Sequence, residues 1–265
     1  MAKLDGLVLV AFVALAATTP ALCAPAAPPQ AAIPPASSPE TGAAEDSAIA
    51  DSLAAMLRAG RAVISANQGR INDPGPGPKG LDGASVLAAA IALYRTATGT
   101  NPLAIDPNSR HGVLLHAQMD AIVAVMDSAQ TRLEAPGLGF KGFIPAVFAR
   151  LVNEQFARRA GGRAAIKVTA PPALVRNRAA RPDAFEAQII AAKFLAPDWP
   201  RGTAYAATEP RGPGIVFRVM VPEYYAASCL TCHGGPKGSL DVTGYPREGA
   251  QEGDLGGVIS ITLLR

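Results

Sequence analysis

Cysteine is scarce: the 265 residues contain 3, and one of them, Cys23, falls at the end of the N-terminal apolar stretch. So low a count excludes a disulfide-built scaffold. Only Cys229 and Cys232 remain in the body of the chain. Histidine is as rare, with 3 residues, so a structural zinc site, which needs four ligands, would have only His111 and His116 to add to the two cysteines, and their spacing is unremarkable. Excess charge is missing too. A formal net charge of +3 is too small to point to nucleic acid. No apolar run after the N-terminus is long enough for a transmembrane helix, and no internal repeat is found.

What is present begins with an export signature. "MAKLDGLVLVAFVALAATTPALCAPAAPPQAA" has Lys3, an apolar run over residues 7–17 and small residues around 21–27. The run is too short for a permanent anchor, so a signal peptide over 1–24 is expected, and with it a periplasmic protein. Lipid anchoring at Cys23 is not expected, because Leu22 stands where a small residue is needed. Residues 25–47, rich in Pro, Ala and Ser, read as a disordered tether. Residues 48–265 suit one domain.

Apolar spacing predicts helices over 45–71, 85–96, 109–133 and 145–160, the last with proline in its first turn. After Gly161 the texture changes. "AAIKVTA", "TAYAATE", "GIVFRVMV" and "GGVISITLL" are strand candidates, and "DAFEAQIIAAKFL" is one more helix capped by Asp183. The expected class is α+β: a helical part to about 160, then a small antiparallel sheet over 161–265. "GFKGF" reads as a close backbone approach with Phe140 and Phe143 in the core.

The chemistry concentrates in "SCLTCHGG", residues 228–235. C-x-x-C-H is the pattern of covalent haem attachment. Two thiols form thioethers with the haem vinyl groups, and the adjacent histidine reaches the iron. Cys229 and Cys232 are then the attachment sites and His233 the proximal ligand, for one haem c. Export fits, since bacterial attachment occurs outside the cytoplasm. A redox dithiol wants a helix after its first cysteine, and "GGPKGSLDVTGYP" does not favour one. A zinc site or a chance disulfide would also use two closely spaced thiols. Small electron-carrier cytochromes place the motif near the N-terminus with a downstream methionine ligand. Residues 234–265 contain no methionine.

The ordered set "RNRAARPDAFE", "VPEYYAASCLTCHGGPKG" and "EGDLGGVISI" resembles a family of exported c-type haem proteins with a PAS-like sensor domain, long described only as a domain of unknown function. "RAVISANQGRINDPGPGPKG" and "FKGFIPAVFARLVNEQFARRAG" resemble one branch of it, and the likeness runs from about Ala50 onward. The resemblance implies a PAS-like fold around a covalent haem. Some relatives supply a second axial ligand from a cysteine on the first long helix; this chain has Ser65, Ala66, Asn67 and Gln68 there, so no thiolate serves.

His116, beside Met119, is the best remaining candidate for a second iron ligand, although a surface or satisfied histidine explains it as well. Arg176, with Arg178 and Arg181, suits a haem propionate, or forms a solvated cluster around a structural turn. Tyr224 and Tyr225 suit a haem wall or a propionate bond, or ordinary aromatic packing. Asp254, Gly256 and Gly257 match the family's closing turn, where a structural role is expected. The expected function is a redox or small-ligand sensor module, with haem, a small gaseous or anionic ligand and an exported redox or signalling protein as partners. A monohaem electron-transfer cytochrome is the alternative. Catalysis is not expected: a haem peroxidase needs a distal acid/base group, and only His116 is a candidate for one.

Overall fold

A computed structural model describes residues 41–212 and 214–265. The expected signal peptide, Cys23 and the tether up to residue 40 lie outside the described residues. The first helix, α1 (Thr41–Ala66), starts earlier than the expected end of the tether at 47. Ala43 and Asp46 are already buried in it. A single turn, α2 (Gln68–Ile71), follows. Then come α3 (Gly83–Thr98), α4 (Arg110–Leu133) and α5 (Pro145–Ala160).

Local chemistry sets these limits. Asp82 caps α3 by accepting from the Ser85 amide at 2.9 Å, and Ser109 caps α4 by accepting from the Gly112 amide at 3.0 Å. Pro145 opens α5, and Gly161 ends it in the left-handed conformation at φ +58°. The loops after α2 and after α4 are joined by Lys141. Its Nζ donates to the Asp73 carbonyl at 2.9 Å and to the Leu133 carbonyl at the end of α4. Lys141 is therefore the buried residue of "GFKGF" together with Phe143, whereas Phe140, expected in the core, is half-buried. A lysine takes that place because open helix-end carbonyls need donors.

The second half holds β1 (Ala164–Thr169), α6 (Ala184–Ile189), a π-helical turn (Ile190–Phe194), β2 (Tyr205–Arg211), β3 (Gly214–Tyr224), a one-turn helix α7 (Leu230–His233) and β4 (Leu255–Leu264). The sheet is antiparallel throughout, in the order β1-β4-β3-β2. The expected α+β class, helices before a small antiparallel sheet, is what the chain adopts.

Strand alternation assigns the two faces of the sheet. Phe217, Val219, Val221, Ile259, Ile261 and Leu263 join the helical core of α1, α4 and α5. Met220, Val258, Tyr205 and Ala207 pack against Ile189, Ile190 and Phe194. Asp46 fastens α1 to both halves, pairing with Arg110 of α4 and with Arg265 beyond β4. No helix among the described residues is long and apolar enough to cross a membrane.

Candidate functional site

The site lies where β3 ends and β4 begins. Glu223 pairs with Gly257 and Tyr224 with Leu255, so Gly256 is an extra residue bulged out of β4. Next to the bulge, the Tyr225 amide donates to the Asp254 carbonyl at 2.9 Å and the Gly253 amide donates to the Tyr225 carbonyl at 2.8 Å. A Cβ on Gly256 would come within 2.5 Å of the Tyr225 ring, so the glycine leaves the space that the ring occupies. Glu223 is held to α1 by Arg58 at 2.5 Å and Arg61 at 2.6 Å. This end of the sheet is thereby locked to the helical layer.

The motif folds into a turn of 3-10 helix over Ala227–Cys229 and continues as α7, and the glycine-rich run after it forms no further helix. Residues three and four apart share a helix face, so Cys229, Cys232 and His233 project from one side of a single turn. Gly234 ends the turn, and a Cβ there would meet the Leu230 carbonyl at 2.6 Å. The chain then folds back, with the Ala250 amide donating to the His233 carbonyl at 2.9 Å. Both cysteines are free thiols and half-buried. Burial, followed by nearby Asp241, pushes the Cys232 thiol up, away from the thiolate.

His233 is enclosed on its Nδ1 side. The Tyr225 ring stacks on the imidazole, with centroids 4.7 Å apart and planes at 26°. The Tyr225 hydroxyl lies 3.2 Å from Nδ1 and Glu248 Oε2 lies 2.9 Å from it. Burial, and then the Arg176 charge, hold His233 below the usual histidine range, so its ring is neutral at pH 7. Burial works against the Glu248 charge, but hydrogen bonds from Arg176 outweigh it and keep Glu248 a carboxylate. Burial and the Glu248 charge push Tyr225 up to about 12, so the phenol keeps its proton. A carboxylate at 2.9 Å requires the imidazole proton on Nδ1. Nε2 then carries the free lone pair.

Arg176, expected at a haem propionate, is bonded within the site itself. Its Nε donates to Glu248 Oε1 at 2.9 Å, Nη1 to Asp241 Oδ2 at 2.6 Å, and Nη2 to Glu248 Oε2 at 3.0 Å and to the Cys232 carbonyl at 2.9 Å. It is an internal strut from the loop after β1 to the motif and its return loop. Arg178 and Arg181 are both exposed, away from these bonds. The Tyr224 hydroxyl accepts from the Gly202 amide at 3.1 Å, and Arg201 lies 3.9 Å over its ring.

The structure brings together Cys229, Cys232, His233, Tyr225 and Arg176, and it does not bring His116 to them. His116 is on α4, half-buried and off the stripe that α4 buries, on the side that carries exposed Asp120. His111 Nε2 lies 2.8 Å from Ser52 Oγ in the helical layer. Glu248 and Asp241, which complete the site, stand in a loop of glycines and prolines with no periodicity to mark them. Gly256 has only the family's closing turn to mark it.

The donor set suits a covalent haem: two free thiols on one face of a turn, and a neutral imidazole with Nδ1 bonded to a carboxylate and Nε2 open. Fold and site define an α+β domain with a single C-x-x-C-H at one end of its sheet. The chain belongs to the Tll0287-like family, whose model (Tll0287) matches residues 50–263. No curated protein and no solved structure matches it.

Proposed function

We propose that this chain is an exported, periplasmic c-type haem protein with a PAS-like domain, acting as a redox or small-ligand sensor module. The observation that carries the reading is the shared face of Cys229, Cys232 and His233, with both thiols free and the imidazole lone pair on Nε2. Membership of the Tll0287-like family supports a haem-related role. With haem bound, Cys229 and Cys232 would each hold it through a thioether: the thiol would add across one vinyl group, its proton going to the neighbouring carbon. No oxidant is consumed. His233 would hold the iron through Nε2, and a bound haem would supply one-electron chemistry and a site for small ligands.

The placement of the other histidines and methionines favours ligand sensing over electron transfer. His111 and His116 are on α4, Met56, Met119 and Met126 are buried in the helical core, and Met220 is buried under the π-turn. None of these stands beside His233 to act as a strong second ligand. With haem bound, the face opposite His233 would then be free to take carbon monoxide, nitric oxide or a small anion. The module would pass its signal to a separate exported protein.

The test is to express the full chain with a periplasmic haem-attachment system and measure its intact mass, its pyridine haemochrome, and ferric, ferrous and carbon monoxide spectra. One covalent haem, lost in the Cys229→Ser, Cys232→Ser double variant, and prompt carbon monoxide binding are expected. A wild-type chain without covalent haem defeats the haem reading. A six-coordinate ferrous spectrum indifferent to carbon monoxide makes the protein an electron carrier instead.

A further inference from the structure

We propose that Glu248, fixed by Arg176, is the positioning residue for His233: it accepts the hydrogen bond of Nδ1–H, so that Nε2 is the nitrogen presented to the iron and the ferric state is favoured. The inference rests on the haem reading of C-x-x-C-H and names the device that tunes that site.

The geometry gives Glu248 little freedom. Both of its oxygens accept from one guanidinium, Oε1 from Nε at 2.9 Å and Oε2 from Nη2 at 3.0 Å. A bidentate pair of this kind fixes the carboxylate plane as well as its position. Oε2 is shared with His233 Nδ1 at 2.9 Å, so the imidazole is oriented by a group that is itself oriented. Arg176 is anchored in turn by Asp241, whose side chain is wholly buried, at 2.6 Å. Asp241 accepts from the Thr243 amide at 2.7 Å and from the Tyr245 amide at 3.1 Å. The same guanidinium donates to the Cys232 carbonyl at 2.9 Å, so one residue sets both the turn and the ring it carries.

Charge gives the arrangement its direction. Asp241 and Glu248 carry two negative charges against the single positive charge of Arg176. One negative charge therefore remains within hydrogen-bond reach of the imidazole. A histidine whose N–H is held by a carboxylate is a stronger donor to a metal, and electron donation from the axial ligand favours the oxidised iron. Tyr225 does not replace Glu248 here. Its hydroxyl is farther from Nδ1, at 3.2 Å, and carries no charge. It covers the face of the ring by stacking.

Two measurements test this. Long-range proton–nitrogen NMR on the full chain expressed without haem attachment reads the tautomer directly: His233 should carry its proton on Nδ1, and Glu248→Ala should lose that preference. Redox titration of the holoprotein should show the ferric-to-ferrous equilibrium moving about tenfold toward ferrous in Glu248→Gln, equivalent to about 59 mV for one electron. A proton on Nε2 in the unmutated chain overturns the proposal, whatever the variants do. So does a wild-type-like equilibrium in a folded, haem-loaded Glu248→Gln, and that result leaves the haem reading standing. A wild-type chain that takes up no covalent haem defeats the haem reading itself, while the NMR result still reports on Glu248 and His233.

Discussion

The Tyr225 ring lies against His233 at a centroid distance of 4.7 Å, in space that exists because residue 256 has no side chain. Glycine is needed there for its missing Cβ: the bulge turns that position toward the ring. Gly256→Ala should therefore overpack the site and destabilise the fold by about 1–3 kcal/mol. Tyr225→Phe, which keeps the ring and loses only the hydroxyl, should cost about 1 kcal/mol or less. Urea unfolding of both variants checks the order. If Gly256→Ala is as stable as the wild type, the bulge does not hold Tyr225 on the imidazole.

Asp241 makes the site acid-sensitive. Burial pushes its carboxyl upward, but hydrogen bonds from Thr243, Arg176 and Tyr245 outweigh that and hold it well below its ordinary value of 3.8. A carboxylate depressed in the folded state contributes its full stabilisation above the ordinary value and loses it as the pH falls toward the depressed one. Wild-type stability should fall from about pH 4 downward with an extra slope approaching about 1.4 kcal/mol per pH unit. Asp241→Asn should be less stable at neutral pH and should lack that extra slope. Denaturant titrations at a series of acid pH values measure both.

Much of this fold is legible in the sequence because its signals are local. Proline and glycine bracket α5, Ser109 and Asp82 cap their helices through their own side chains, and the alternation in β3 and β4 is strong. The motif residues are legible for the same reason, since two thiols and an imidazole at fixed spacing carry their chemistry with them. The rest depends on partners far apart in the chain. Arg176 stands out as a functional arginine, yet its true partners, Asp241 and Glu248, are separated from it by the whole of β2, β3 and α7. Nothing in a run of glycines and prolines shows which carboxylate will meet which guanidinium. The start of α1 is hidden likewise: the alanine- and serine-rich stretch reads as tether until Arg110 and Arg265 converge on Asp46.

That convergence sets an expectation for stability. The Asp46 side chain is fully buried, while those of Arg110 and Arg265 are 33% and 27% exposed. Removing the carboxylate leaves two arginines that can still swing toward water, so the loss should fall at the low end for a broken buried pair. Asp46→Ala should cost about 3 kcal/mol. Circular dichroism during urea unfolding checks this, and truncation of Arg265 alone should cost less, because Arg110 would still satisfy the carboxylate.

His116 supplies the sharpest test of the distal side. It is the one histidine in the sequence that suits a second axial ligand, and in the fold it sits on α4, which packs with α1, α3 and α5, on the side carrying exposed Asp120. His233, by contrast, is bonded to Glu248 and stacked on Tyr225 at the end of the sheet. A ligand that α4 delivered would have to cross from the helical layer to that end. His116→Ala should therefore leave the ferric and ferrous spectra and the rate of carbon monoxide binding as they are in the wild type, whereas His233→Ala should alter all three. If loss of the His116 side chain converts a six-coordinate spectrum to a five-coordinate one, α4 does reach the iron, and the protein is better understood as an electron carrier than as a sensor.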